Sequence, residues 1–141
     1  MEIIKFQSHH LDAVRKLYLE SRLATFTWQD LVLLERSDFE RDAEGEDIWV
    51  ACKSNEILGF ISIWEPDNFI HHLFVSPSNL RSGVGLKLLD FAKQRYSNLS
   101  LKCLTKNSNA IGFYRSQGFT IVETVDDGAE SYHLMKCLSQ T

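Results

Sequence analysis

The chain has 141 residues, 44% hydrophobic and 24% charged, the balance expected of a soluble globular domain with a sizeable core. Its 15 Lys and Arg against 19 Asp and Glu leave a net charge of −4, which argues against a partner held mainly through nucleic-acid phosphates. No apolar run reaches membrane-spanning length, and the N-terminus lacks a signal-peptide layout. Three widely spaced cysteines, Cys52, Cys103 and Cys137, fit neither a disulfide framework nor a zinc site. They read as buried free thiols of a reducing, cytoplasmic compartment.

In chain order, Ile3 to Phe6 is a short strand, and Ser8 is placed to cap a helix running to about Leu23. Leu11, Val14, Leu17 and Tyr18 share one face of that helix. Thr27 to Phe39 reads as a second, less regular helix, and the acidic stretch Glu40 to Asp47 as a solvated loop. Ile48 to Cys52 is a strand, turned by Ser54-Asn55 into Ile57 to Trp64. The second run is apolar almost throughout, so both of its faces are expected to be covered. Pro66-Asp67-Asn68 turns the chain into the strand Phe69 to Val75. Gly83 to Tyr96 is a helix with Leu88, Leu89, Ala92 and Tyr96 as its buried stripe. Leu99 to Leu104 is a strand, and Asn109 to Ser116 a short helix stopped by Gly118. Phe119 to Thr124 and Tyr132 to Leu138 are strands joined around Asp126-Asp127-Gly128. The order βααβββαβαββ predicts one α+β domain over residues 1–141, a mixed sheet with helices on both faces.

The segment "VSPSNLRSGVGLKLL" sends a strand through a glycine loop straight into a helix. It is not a Walker A loop, because no Gly-Lys-Ser/Thr follows. It is not the dinucleotide fingerprint either, because Leu88 stands where the third glycine belongs. What remains is a helix whose first-turn N–H groups lack internal partners and favour a phosphate. Glycine lets that phosphate approach the backbone, and Arg81 adds charge. A glycine-eased turn into a purely structural helix would read the same, so the loop alone does not decide.

A second segment decides it. Asn107 to Phe119 reads "NSNAIGFYRSQGF". Together the two segments resemble the GNAT superfamily of N-acetyltransferases. That family pairs a Q/R-x-x-G-x-G/A loop with a later N-x-x-A-x-x-F-Y-x-x-x-G-F segment. The first pattern matches at Gly83 and Gly85, behind Val75-x-Pro77. The second matches at Asn107, Ala110, Phe113, Tyr114, Gly118 and Phe119. Leu80 departs from the pattern where Gln or Arg is common, and Arg81 is placed to supply the charge. The resemblance implies a GNAT-like fold with a mostly antiparallel central sheet, and an acetyl-CoA pyrophosphate over Arg81, Ser82, Gly83, Val84 and Gly85. It also implies a pantetheine arm along Leu73, Phe74 and Val75, flanked by Asn107, Ala110 and Phe113.

The implied reaction is direct acetyl transfer from acetyl-CoA, as co-substrate, to a primary amine of a small molecule or peptide. The acceptor pocket is expected near Leu23 to Phe39, with Phe26, Trp28 and Phe39 as walls. Neither nucleic acid nor membrane is an expected partner, and the chain is expected to act as a monomer or homodimer. Rival readings are a non-catalytic acyl-CoA sensor and a transferase for another acyl group. A lysine-like amine, with a pKa of about 10.4, is neutral in only about one molecule in a few thousand near pH 7. That gap, roughly 4–5 kcal/mol, makes help with deprotonation matter. The resemblance makes Tyr114 the proton donor to the leaving thiolate. For the base, His71 is favoured over His72, because strand alternation puts His71 on one face with Leu73 and Phe69. Glu65 is a third candidate. The same alternation points His71 and His72 to opposite faces, so no metal site is expected. His133 reads as a strand surface residue, and His9 and His10 as a solvated helix start.

Overall fold

A computed structural model of the chain describes residues 1–25, 45–76 and 82–137. The expected helix from Thr27 to Phe39 and the aromatic walls of the acceptor pocket lie outside these residues, as does most of the acidic stretch. The described elements are β1 (Glu2–Lys5), α1 (Leu11–Thr25), β2 (Asp47–Lys53), β3 (Glu56–Trp64) and β4 (Phe69–Val75). They continue with α2 (Val84–Arg95), β5 (Leu99–Leu104), α3 (Ser108–Ser116), β6 (Thr120–Val125) and β7 (Tyr132–Cys137). The strands form one sheet in the order β1-β2-β3-β4-β5-β7-β6. Every neighbouring pair is antiparallel except β4 and β5, which are parallel. The mixed, mostly antiparallel sheet expected from the sequence is therefore the one observed.

Apolar residues alternate across the sheet and divide the core in two. On one face Val14, Leu17 and Tyr18 of α1 bury against Val50 and Phe60. On the other, Val84, Leu88, Leu89 and Ala92 of α2 pack on Ala51, Ile61 and Leu101, with Phe113 and Tyr114 of α3 joining them. β3 is covered on both faces, as its unbroken apolar run requires: Leu58 to Ile63 are all buried. The contact between β3 and α2 is close at Gly59. A Cβ there would lie 2.7 Å from the Phe74 carbonyl oxygen and 3.1 Å from Val84 Cγ1.

Three expectations need correction. Ser8 does not cap the first helix; Ser8–His10 form a 3-10 turn that leads into α1. The backbone N–H of Gln7 donates to His10 Nδ1 at 2.9 Å. His10 is buried rather than part of a solvated helix start, and burial, with the neighbouring His9 charge, lowers its pKa. The end of the acidic stretch is not a solvated loop either: Asp47 opens β2, and the Glu46 side chain is only 5% exposed. Of the cysteines, all free, Cys103 is buried while Cys52 and Cys137 are half-buried. No helix among the described residues is long and apolar enough to cross a membrane.

Candidate active site

The site begins where two parallel strands part. β4 and β5 keep only the pairs Phe69–Ser100 and Ile70–Leu101. Beyond Ile70, β4 continues for five residues bonded to β3 on its other side, from His72 opposite Ser62 to Val75 opposite Gly59. A notch therefore opens in the middle of the sheet, lined on one side by the backbone of β4. Leu73 and Val75 send their side chains to the α2 face of the sheet.

At the mouth of the notch stands the start of α2. Gly83 caps it with φ of +87°, a left-handed conformation that side chains resist, and a Cβ there would meet nothing among the described residues within 4 Å. The first helical bond runs from Lys87 N–H to the Gly83 carbonyl at 3.1 Å. The amides of Val84, Gly85 and Leu86 thus have no carbonyl within the helix to bond. Gly85 sits where three elements converge, its would-be Cβ 3.6 Å from Val75 Cγ2 and 4.0 Å from Phe113 Cζ. Ser82 is exposed beside this turn. Arg81, Leu80 and Pro77 lie outside the described residues.

The α3 segment closes the same side. Asn107 caps α3, its Oδ1 accepting from the Ala110 N–H at 3.2 Å. Its side chain is thus engaged with its own helix. Phe113 and Tyr114 stand with ring centroids 5.3 Å apart, and Tyr114 meets Phe119 at 5.6 Å. Burial raises the pKa of Tyr114, and the nearby Cys103 on β5 adds to the effect. The phenol therefore stays protonated across the neutral range and acts as a donor, not a base.

The opposite face of the notch carries the histidines, and here strand alternation fails. Ser62 pairs with His72 but Ile63 pairs with Ile70, so His71 is the extra residue of a bulge. The bulge puts Ile70 and Leu73 in the α2-side core and leaves both histidines on the α1 side. The imidazole rings lie 4.0 Å apart, centroid to centroid. His71 therefore does not share a face with Leu73, and the two histidines do not point to opposite faces.

Both rings converge on Glu46. His71 Nδ1 donates to Glu46 Oε2 at 2.5 Å, and His72 Nδ1 lies 3.9 Å from Glu46 Oε1. An ionised carboxylate only accepts, so the proton of His71 resides on Nδ1 and the Nε2 lone pair is left available. His71 is 44% exposed at its side chain. His72 is buried, shares a hydrogen bond with Ser62 Oγ at 2.7 Å, and packs edge-on against Tyr18 at 5.2 Å. His133 lies two strands away on β7, bonded to Thr124. Glu65 follows β3 in a 3-10 turn. Glu46 was hidden in an acidic run, yet it carries on the period-two pattern of Val50 and Ile48 toward the α1 face. That pattern is the signal that could have found it.

Comparisons with known proteins agree on one family. The model of the Acetyltransferase (GNAT) family matches residues 11–119. A peptidyl-lysine N-acetyltransferase of Escherichia coli K12, YiaC, is 35% identical over 123 residues, 83% of this chain and 82% of that protein. Among solved structures, an aminoglycoside 6'-acetyltransferase type Ii superposes with a TM-score of 0.79 at 18% identity, covering 100% of this chain and 99% of that one. A putative acetyltransferase of Salmonella typhimurium, yncA, solved with acetyl-CoA, gives a TM-score of 0.75 at 16% identity, covering 99% and 94%. At those identities the last two speak for the fold.

Proposed function

Since the chain belongs to the GNAT acetyltransferase family, we propose that it moves the acetyl group of acetyl-CoA to the side-chain amine of a lysine in a peptide or protein. The observation that carries this reading is the notch where β4 leaves β5, with a glycine-capped helix at its mouth. The pyrophosphate rests on the amides of Val84, Gly85 and Leu86, where the helix dipole favours an anion. Ser82 stands beside it, and Arg81, outside the described residues, is the charge that the sequence offers. The pantetheine arm lies along Leu73, Phe74 and Val75, bonding the β4 backbone as a strand would, with Ala110 and Phe113 against it. Asn107 serves this site by holding α3 in place.

The acceptor amine approaches from the α1 face. There His71 Nε2 takes its proton, directly or through a water. Glu46 is a positioning residue: it fixes the tautomer of His71 and stabilises the imidazolium that forms. His72, buried against Tyr18, supports the same cluster. The neutral amine attacks the thioester carbon, and the oxyanion is met by β4 backbone N–H groups in the notch. As the C–S bond breaks, the Tyr114 hydroxyl donates to the sulfur. Full proton transfer from a phenol of raised pKa to a thiolate of ordinary pKa, about 8.5, runs uphill. The main action of Tyr114 is therefore a hydrogen bond to charge building on sulfur.

The lysine acceptor is supported by the name of the 35% identical relative. We place the reaction in the cytoplasm, where the free thiols stay reduced. The test is incubation with acetyl-CoA and a panel of lysine peptides, polyamines and aminoglycosides, read by thiol release and by product mass. Acetylated lysine peptide is the expected product. Release only with aminoglycosides or polyamines would replace the acceptor and keep the enzyme; tight acetyl-CoA binding with no release from any amine would leave a sensor.

A further inference from the structure

The cluster on the α1 face has a property that acetyl transfer does not use. One ligand atom each from Glu46, His71 and His72 lie within 4.8 Å of one another. Two imidazoles and one carboxylate make up a donor set that holds zinc in open, three-ligand sites, with a fourth position left for water. Glu46 is 5% exposed, and its Oε1 has no hydrogen-bond partner among the described residues. A buried carboxylate oxygen without a partner is costly, and a cation is one way to satisfy it. That oxygen lies 3.9 Å from His72 Nδ1, on the side where the second imidazole stands. Ser62 Oγ lies 2.7 Å from the same His72 Nδ1, so an ion taken by that nitrogen replaces its bond to the hydroxyl. The bulge at His71 is what makes the set possible, because a regular strand would part the two histidines.

We propose that Glu46, His71 and His72 form a binding site for a divalent transition-metal ion of zinc's class, and that metal binding and acetyl transfer exclude one another. The ion needs the Glu46 carboxylate, whose Oε2 now holds His71 Nδ1, and a small rotation of the exposed His71 ring admits it. With Nδ1 on the metal, the ring proton passes through solvent to Nε2. No net proton is lost from the neutral ring, but the Nε2 lone pair is gone. Nickel and copper fit the same donors, so the chemistry names the class of ion rather than one element.

Binding is read without turnover, so it stands apart from the acetyl-transfer reading; only the exclusion rests on His71 acting as the base. The full-length chain is titrated with Zn²⁺ against a chromophoric chelator, and with Co²⁺ followed by visible absorption. One equivalent should bind with the d–d spectrum of nitrogen and oxygen donors and no thiolate charge-transfer band, which rules out the free cysteines. His71→Gln and Glu46→Gln should each weaken binding at least tenfold. Because His71 is half-exposed, His71→Gln decides the matter should Glu46→Gln fail to melt cooperatively. In the parent, Zn²⁺ should inhibit acetyl transfer over the concentrations that fill the site. No saturable binding, a thiolate band, or unchanged affinity in His71→Gln would overturn the site. Saturable binding with full turnover would overturn the exclusion.

Discussion

Replacing Gly83 by alanine separates what the glycine does for the fold from what it does for the cofactor. The residue caps α2 at φ of +87°, where a Cβ is strained, and that Cβ would meet no atom of the described residues within 4 Å. The stability cost is therefore conformational alone, about 1 kcal/mol. With an unfolding entropy of roughly 2.1 cal/mol/K per residue over 141 residues, 1 kcal/mol lowers Tm by about 3 °C. In the proposed reading the pyrophosphate comes down on the first-turn amides through the space around that Cβ. Acetyl-CoA at about 100 times its Kd stabilises the parent by about 2.7 kcal/mol, a rise of roughly 9 °C on the same scale. A tenfold loss of affinity at that concentration leaves about 1.4 kcal/mol, or roughly 5 °C. We expect the Gly83→Ala shift to be that small or smaller. Gly85→Ala is the companion, since its Cβ finds only ordinary contact 3.6 Å from Val75 Cγ2. It should keep the parent's Tm and still bind acetyl-CoA more weakly. Differential scanning fluorimetry with and without acetyl-CoA reads both variants. A Gly83→Ala protein with the parent's full ligand-induced shift would refute the placement of the pyrophosphate on α2.

Tyr114→Phe keeps the ring's packing against Phe113 and Phe119 and removes one donor, so turnover should fall about 10²–10³-fold, with acetyl-CoA affinity unchanged by calorimetry. Gly59→Ala forces a methyl group to 2.7 Å from the Phe74 carbonyl oxygen of β4 and 3.1 Å from Val84 Cγ1 of α2, so β3 must shift against both. Chemical denaturation should show about 1–3 kcal/mol lost, the range of an overpacked core. His10, buried and with a lowered pKa, accepts the Gln7 N–H at Nδ1 only while neutral. Near its unfolded value of 6.5 the unfolded chain binds more protons than the folded one. Stability should therefore drop as pH falls from that value toward the lower folded one, and His10→Gln should flatten that part of a urea-midpoint-against-pH curve.

The parts of the fold legible in the sequence are those set by local demands. The glycine that caps α2 was visible because a loop ending in glycines leads from a strand into a helix, and the left-handed φ at Gly83 is the backbone form of that turn. The buried stripes of α1 and α2 were visible from helical period, save that Tyr96 falls just past the end of α2 in extended backbone and is half-buried, and β3 was visible from its unbroken apolar run. The histidine cluster was not legible, because it depends on register. Alternation puts His71 and His72 on opposite faces only while β3 and β4 stay in step. The slip between Ser62 and Ile63 is a property of the pair of strands rather than of either alone. Glu46 was missed for a related reason. Its acidic neighbours suggested solvent, whereas its position two residues before Ile48 places it under the sheet beside the histidines.

The pH dependence of turnover tests most directly whether His71 is the group that accepts the amine's proton. The rate of acetyl transfer to one good lysine peptide, saturating in both substrates, is measured from acid to alkaline pH for the parent, His71→Gln and His72→Gln. The parent should show a rising limb. In His71→Gln that limb should disappear and the plateau rate fall, because glutamine still bonds Glu46 but offers no basic nitrogen. His72→Gln should keep the limb and lose stability, since its ring is buried between Ser62, Tyr18 and Phe60. A limb that survives in His71→Gln with an undiminished rate would contradict the assignment and move the base elsewhere in the notch.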